Sequence, residues 1–446
     1  MKRIILFIGL IVLVLGLSAQ TAVQPEGDGT EVNPYQIATW QNLYWISQNP
    51  SSWENNFFQT ADIDFADATP AIETWNNGRG WSPIGVYEFA NPSNIYFTGK
   101  YNGNNKTVRG LFINRPNAYS QGFFGYIETE AEIKNLGIIF ANVTGHFYVG
   151  GLVGYSKGTI TNCYSTRNIT GYCYVGGLVG VNIGNITNCY IIGNVTGTNS
   201  TGGLVGRSPG YITNCYSHVN IAGNSKIGGL VGEIYGGSIN DCHSYGYVLG
   251  SYKVGGLVGH CYDTIITNSY STGRVTCNGS GYEIGGLVGY IGEGNIINCY
   301  STGSVTGSRF TTGGLVGHKY QGRITNCYST GNVTGFDSQL GGLVGVNQYG
   351  PIKNCYSSGN VIGNSVTGGL IGKNYGTITN CYSTGNVGGV NFIGGLVGVN
   401  YEGFIDKSYS TGNVTGVEYL GGLVGENDAG SIESCFWDIE TSGQFS

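Results

Sequence analysis

From residue 121 onward the apolar positions fall in short clusters at fixed spacing, without the 3.6-residue rhythm of a helix. The plainest cluster is Gly-Gly-Leu-Val-Gly or a close variant. Its last glycine stands at Gly154, Gly180, Gly206, Gly232, Gly259, Gly289, Gly317, Gly345, Gly372, Gly398 and Gly425. A degenerate first copy, Gln121-Gly122-Phe123-Phe124-Gly125, precedes them, and successive intervals run 29, 26, 26, 26, 27, 30, 28, 28, 27, 26 and 27 residues. Each interval holds short β-prone pieces punctuated by Gly or Asn, none long enough for a helix. Units of this length bury their apolar side only against their neighbours, so they stack into a solenoid. The pattern predicts an all-β fold, a parallel β-helix of about twelve turns with about three short strands per turn. At roughly 4.8 Å per turn the rod would be roughly 60 Å long.

Columns of like residues support stacking. A branched residue recurs at Ile160, Ile186, Ile212, Ile239, Ile266, Ile296, Ile324, Ile352, Ile378, Ile405 and Ile432. Three residues later comes the proposed structural core column: Cys163, Cys189, Cys215, Cys242, Cys299, Cys327, Cys355, Cys381 and Cys435, with Ser269 and Ser408 as small replacements. A Val or Ile follows six residues after that, from Ile169 to Val414. The three-residue gap between Ile and Cys prevents both from pointing inward along one flat strand. A bend between them resolves this, and the Asn that usually precedes the cysteine, from Asn162 to Asn380, tolerates the left-handed backbone of such a bend. The glycines around Leu-Val are expected to permit tight corners.

Before the repeats, residues 20–120 read as an N-terminal cap with irregular first turns. Five of the six tryptophans lie here, and Thr39 is placed to cap a short amphipathic helix running to Ile46. Core and cap packing is the preferred role for these tryptophans over a sugar-binding platform. The repeats occupy 121–438, with no helix expected after them. Residues 439–446 are a tail that either caps the last turn or marks where a longer chain is cut.

Composition adds an address. Met1-Lys2-Arg3, an apolar run from Ile4 to Leu17 and Ser18-Ala19-Gln20 have the order of a signal peptide, assigned to residues 1–19. No other segment approaches a membrane span. Charged residues are only 10% of the chain, and the net charge is -6. No continuous basic patch appears, so nucleic acid is excluded as a partner.

Little catalytic chemistry is legible. The twelve cysteines invite disulfides, but Ser269 and Ser408 interrupt the column, and mostly buried, reduced thiols are expected, with Cys173, Cys261 and Cys277 outside it. Their spacing forms no Cys-x-x-Cys pair, and the five histidines form no His-Glu-x-x-His motif, so no metal or cofactor is expected. Acid pairs such as Glu283 with Glu293, or Asp62 with Asp64, do not recur and read as solvated. The candidate ligand-binding stripe follows the cysteine column: Tyr164, Tyr190, Tyr216, Tyr270, Tyr300, Tyr328, Tyr356, Tyr382 and Tyr409, with His243 and Phe436 in the same file. If Cys points inward, this file points outward. It then either binds glycans or a protein surface, or stacks on itself to shield the sheet.

Gly-Gly-Leu-Val-Gly together with Ile-Thr-Asn-Cys-Tyr-Ser-Thr-Gly-Asn-Val-Thr-Gly resembles the GLUG-motif repeat family of bacterial surface proteins, over residues 122–438. The resemblance implies a large extracellular, adhesin-like context and supplies no catalytic residues. Such repeats also occur in the non-catalytic part of some immunoglobulin A metalloproteases, whose motif this chain lacks. The expectation is therefore a secreted or cell-surface binding or display module, monomeric and not an enzyme, with glycans or host and cell-envelope proteins as partners. The rivals are a polysaccharide-degrading β-helix enzyme and a purely structural stalk.

Overall fold

The computed structural model describes residues 20–86, 94–307, 309–336 and 339–445; the candidate signal peptide, 1–19, lies outside them. The repeats build a parallel β-solenoid. Twelve Val–Gly strands, from Phe124–Ile127 to Val424–Asp428, form one parallel sheet, one strand per turn. The other strands of each turn pair with their counterparts in the next, for example Ile324 with Ile352, Tyr328 with Tyr356 and Val333 with Val361.

The turns are divided more finely than three strands. One turn comprises Val316–Lys319, Arg323–Thr325, Tyr328–Ser329, Val333–Thr334 and Leu340–Gly341, and earlier turns have four strands. The division comes from the residue before the cysteine. Asn162, Asn188, Asn214, Asn298, Asn326, Asn354 and Asn380 all take φ between 51° and 55°, the left-handed region that Asn tolerates, and Asp241, Lys407 and Ser434 lie in the same region, at 52°, 48° and 51°. This single residue reverses the side-chain alternation. Ile324 and Cys327 thereby both turn inward, at 0% and 1% exposure.

The pentapeptide glycines are required for room. Their φ angles are not in the left-handed region. A Cβ on Gly313 would lie 2.0 Å from Val316 O; on Gly314, 2.0 Å from Gly342 O and 2.4 Å from Ser329 Oγ; on Gly317, 2.6 Å from Ile284 N. Backbone of one turn thus packs on backbone of the next, and the chain bends at Gly314-Leu315, the tight corner expected there.

At the N-terminal end the helix Trp40–Gln48 starts at Thr39, whose hydroxyl accepts from Asn42 N at 3.3 Å while Asn42 Oδ1 accepts from Thr39 N at 3.1 Å. Its buried Trp40, Leu43 and Ile46 face an aromatic core. Trp75 lies 5.5 Å from Trp40 and 5.8 Å from Phe65, and Trp81 stacks on Phe123 at 5.3 Å. The buried indoles donate inward, Trp53 Nε1 to Ile46 O and Trp81 Nε1 to Phe123 O. At the other end a one-turn helix, Ile439–Ser442, follows the last turn, where none was expected. Asp438 caps it, and Thr441 Oγ1 and Gln444 Nε2 donate to Thr411 O and Val414 O of the turn beneath.

The interior also holds a polar file after the Val–Gly strand. Asn347, Asn374 and Asn400 are buried and hand on amide hydrogen bonds, Nδ2 to the next Oδ1, at 2.8, 2.9 and 2.8 Å, ending on Asn427. Lys319 sits at its head, fully buried, donating to Asn347 Oδ1 at 3.0 Å and to Tyr349 O. Burial pushes its ammonium down to about 7.

Two outcomes follow from this packing. Gly314→Val should destabilise the solenoid by about 3 kcal/mol or more, because neither backbone can retreat. Gln321→Lys in an exposed loop should change little, and paired urea melts compare the two. For Lys319, the unfolded chain keeps the proton up to about pH 10 whereas the folded one releases it near 7. Stability should therefore rise as pH increases from 7 to 9, by about 2 kcal/mol, in urea melts, and Lys319→Gln should flatten that rise.

Candidate functional site

The two files that frame the candidate stripe are set by the left-handed bend. The next backbone N–H after the bend, on the cysteine, cannot join the regular ladder. It donates to sulfur in the following turn: Cys163 N to Cys189 Sγ, Cys299 N to Cys327 Sγ and Cys327 N to Cys355 Sγ, each at 3.4 Å. Where serine occupies the file the hydroxyl accepts the same bond, Cys242 N to Ser269 Oγ and Cys381 N to Ser408 Oγ, both at 3.1 Å. Eight of the nine cysteines in the file are buried, and Cys435 in the last turn is half-buried. Cys173 and Cys261, outside the file, are buried too, and Cys277 is half-buried. Burial raises the Cys189, Cys242 and Cys355 thiols, and the sulfurs of the file serve as packing and as hydrogen-bond acceptors between turns. The exposed asparagines beside it form an amide ladder, with Nδ2 to Oδ1 distances of 2.7–3.1 Å from Asn162 through Asn214 and from Asn326 through Asn380.

The tyrosines lie on the outer side of the bend, half-buried, in one uninterrupted stack. Centroid distances from Tyr164 to Tyr190 to Tyr216 are 4.7 and 4.8 Å, and from Tyr270 through Tyr300, Tyr328, Tyr356, Tyr382 and Tyr409 they run 4.7, 4.9, 5.0, 4.9 and 5.1 Å. His243 continues the stack, and Phe436 ends it 59% exposed. Ring planes within the tyrosine pairs differ by 1–5°. Each ring face therefore rests on its neighbour, and the stack offers ring edges and hydroxyls to solvent. Partial burial, then neighbouring tyrosines, raises the phenols of Tyr190, Tyr356 and Tyr382, which keeps the stripe uncharged at neutral pH.

A second assembly, missed in the sequence, occupies the corner ahead of the Val–Gly strands. Glu233, 2% exposed, contacts Lys226 and lies 3.6 Å from Arg207. Glu283 lies 3.9 Å from Lys253 and 3.5 Å from His318. Lys253 sits 4.0 Å over the Tyr290 ring, and Tyr235 OH meets His260 Nδ1 at 3.1 Å. Burial, and then the Lys253 and Lys226 charges, holds His260 down at about 3. The turn ending at Gly289, the longest interval, puts its extra residues ahead of the Val–Gly strand, between Cys277 and Tyr282. Pairing jumps from Gly250 with Cys277 to Tyr252 with Tyr282, and the surplus bulges outward. Tyr282, Phe310 and Phe336 are exposed on these loops, at 42%, 53% and 75%. The lengthened intervals were the available sequence signal.

The acid pairs separate into structural roles. Glu293 accepts from Tyr262 OH, and Glu283 joins the corner. Asp62 holds Thr107, and Asp64 caps Ala66 and pairs with Arg109. Among the described residues no group of three or more His, Cys, Asp or Glu is placed to hold a metal ion, and no helix is long and apolar enough to cross a membrane.

Residues 145–170, 171–196, 250–276, 280–306, 308–334, 337–362 and 363–388 match the profile described as the GLUG motif. Halomucin of Haloquadratum walsbyi is 36% identical over 150 residues, 33% of this chain and 2% of halomucin. A protein of Evansella cellulosilytica, provisionally named a Gly-rich membrane protein, is 32% identical over 147 residues, 32% of this chain and 16% of that one. The chain thus spans a small part of the curated relatives it matches. A crystal structure of a Bacteroides ovatus protein, provisionally assigned as an immunoglobulin A1 protease, is 20% identical with a TM-score of 0.42, covering 64% of this chain and 78% of that one.

The hydrogen bond to the cysteine file makes a direct prediction. Cys327→Ala should cost about 2 kcal/mol, because it orphans the Cys299 N–H and leaves a small void. Cys327→Ser should cost less than half of that in parallel thermal melts, since Ser269 and Ser408 already make the bond.

Proposed function

The chain belongs to the GLUG-motif repeat family, and we infer from this a surface-associated β-solenoid rod that works as an adhesin-like binding or display module. The relatives support the location: one is named halomucin and the other a membrane protein. The signal-peptide order of residues 1–19 supports export. The observation that carries a binding role is the continuous uncharged stripe. Ten half-buried rings from Tyr164 to Tyr409 hold their polar edges at one regular spacing along the rod. Such a rail suits an extended ligand with repeating hydroxyls, a glycan, held by many weak hydrogen bonds in place of one deep pocket.

The non-catalytic reading is supported by the ion pairing of the corner, where Glu233 and Glu283 each lie beside two basic side chains. The charged corner is also the feature that would favour a polysaccharide-degrading enzyme, and one experiment separates the two. Full-length mature protein is applied to a printed glycan array beside a variant carrying Tyr300→Phe, Tyr328→Phe and Tyr356→Phe. The variant keeps the ring stack and loses only hydroxyls, so binding to extended glycans should fall about fivefold or more. Unchanged binding would return the stripe to a purely structural role, and turnover of a bound glycan would establish an enzyme.

A further inference from the structure

We propose that the corner formed by the long turns is a glycan-binding site in its own right, where Tyr282 and Phe310 stack a neutral sugar ring and Glu283 and His318 bond its hydroxyls. The site rests on the reading of the rod as a glycan-binding surface protein, and it locates the strongest contact on that rod.

The first argument is economy of the fold. Turns of 26 or 27 residues close the solenoid completely, as most of this chain shows. The extra residues of the turn ending at Gly289 leave the paired register between Cys277 and Tyr282 and emerge at one corner, where Phe310 of the next turn is also exposed, the pattern by which repeat proteins build a binding face. Large apolar rings at the tips of such loops lose free energy in water unless something covers them.

The second argument is ring geometry. Tyr252 to Tyr282 is an edge-to-face contact, 4.7 Å at 68°, and Tyr282 to Phe310 is another, 5.6 Å at 87°. Edge-to-face packing leaves ring faces open, whereas the near-parallel tyrosine stack on the other side of the rod covers its own. Apolar faces of sugar rings dock on open aromatic faces of this kind.

The third argument is the floor between the rings. Tyr282, Glu283, Phe310, Thr311 and His318 line one cleft. Glu283 is fixed there from two sides, by Lys253 and His318, and its backbone is held at φ 67°, unusual for a residue with a side chain. The floor supplies a carboxylate acceptor and an imidazole. Lys253 balances the Glu283 charge, so the cleft selects neither acidic nor basic sugars and suits neutral ones.

The test uses full-length mature protein on a printed array of neutral and acidic glycans, with Tyr282→Ala combined with Phe310→Ala, Phe310→Trp alone, and the triple tyrosine-to-phenylalanine variant of the stripe. Both loop residues are exposed, so melting temperatures should stay unchanged. The expected result is that the double alanine variant loses about tenfold or more in affinity for neutral glycans while Phe310→Trp retains binding. Retained affinity in the double alanine variant, with or without loss in the stripe variant, would overturn the corner site and leave the rod's glycan reading standing. Absence of any glycan binding by the unmodified protein would overturn both.

Discussion

In the regular files of this solenoid a side chain rests on a like residue one strand spacing away, and that self-contact governs which residues those files can use. Each file must hold a residue that is content beside its own kind. Branched aliphatics interlock, asparagine amides donate and accept in series, tyrosine rings stack, and cysteine or serine accepts the N–H from the previous turn. Charges fail this test, because like charges on directly paired strands repel. The 10% charged content follows from that constraint. Where charges do enter, they come as opposites: Arg207 pairs in register with Glu233, and Glu283 stands beside Lys253.

The second consequence concerns the backbone. A left-handed residue before the cysteine reverses which face points inward, and so lets Ile and Cys share one narrow core. That bend leaves an N–H without a place in the sheet, and sulfur or hydroxyl accepts it. The glycines answer a separate demand, for space, where the main chain of one turn presses on the next. Conformation, hydrogen bonding and contact distance therefore each explain a different invariant position of the repeat, and none substitutes for another.

The surfaces divide along the same line. The tyrosine file satisfies itself by stacking and exposes only edges, at one regular spacing along the rod. The long-turn corner departs from self-stacking. Its residues differ from turn to turn, its rings meet edge to face, and its charges are mixed. A position released from the repeat is free to carry specificity, and here those positions cluster.

The sequence alone determined the solenoid, its twelve turns, the Thr39-capped helix, and the bend at asparagine, because a repeated file of residues is a direct image of parallel in-register pairing. It could not divide each turn into four or five strands, since strand ends depend on where the neighbouring turn leaves hydrogen bonds to make. It left open whether the tyrosine faces bind or stack on their neighbours, and it did not disclose that Glu233, Glu283 and Lys253 share one corner, though separated by up to 50 residues. The interval lengths marked that corner without revealing its contents. One-dimensional spacing records which residues stack; only the closed turn decides which stacked files meet across a corner.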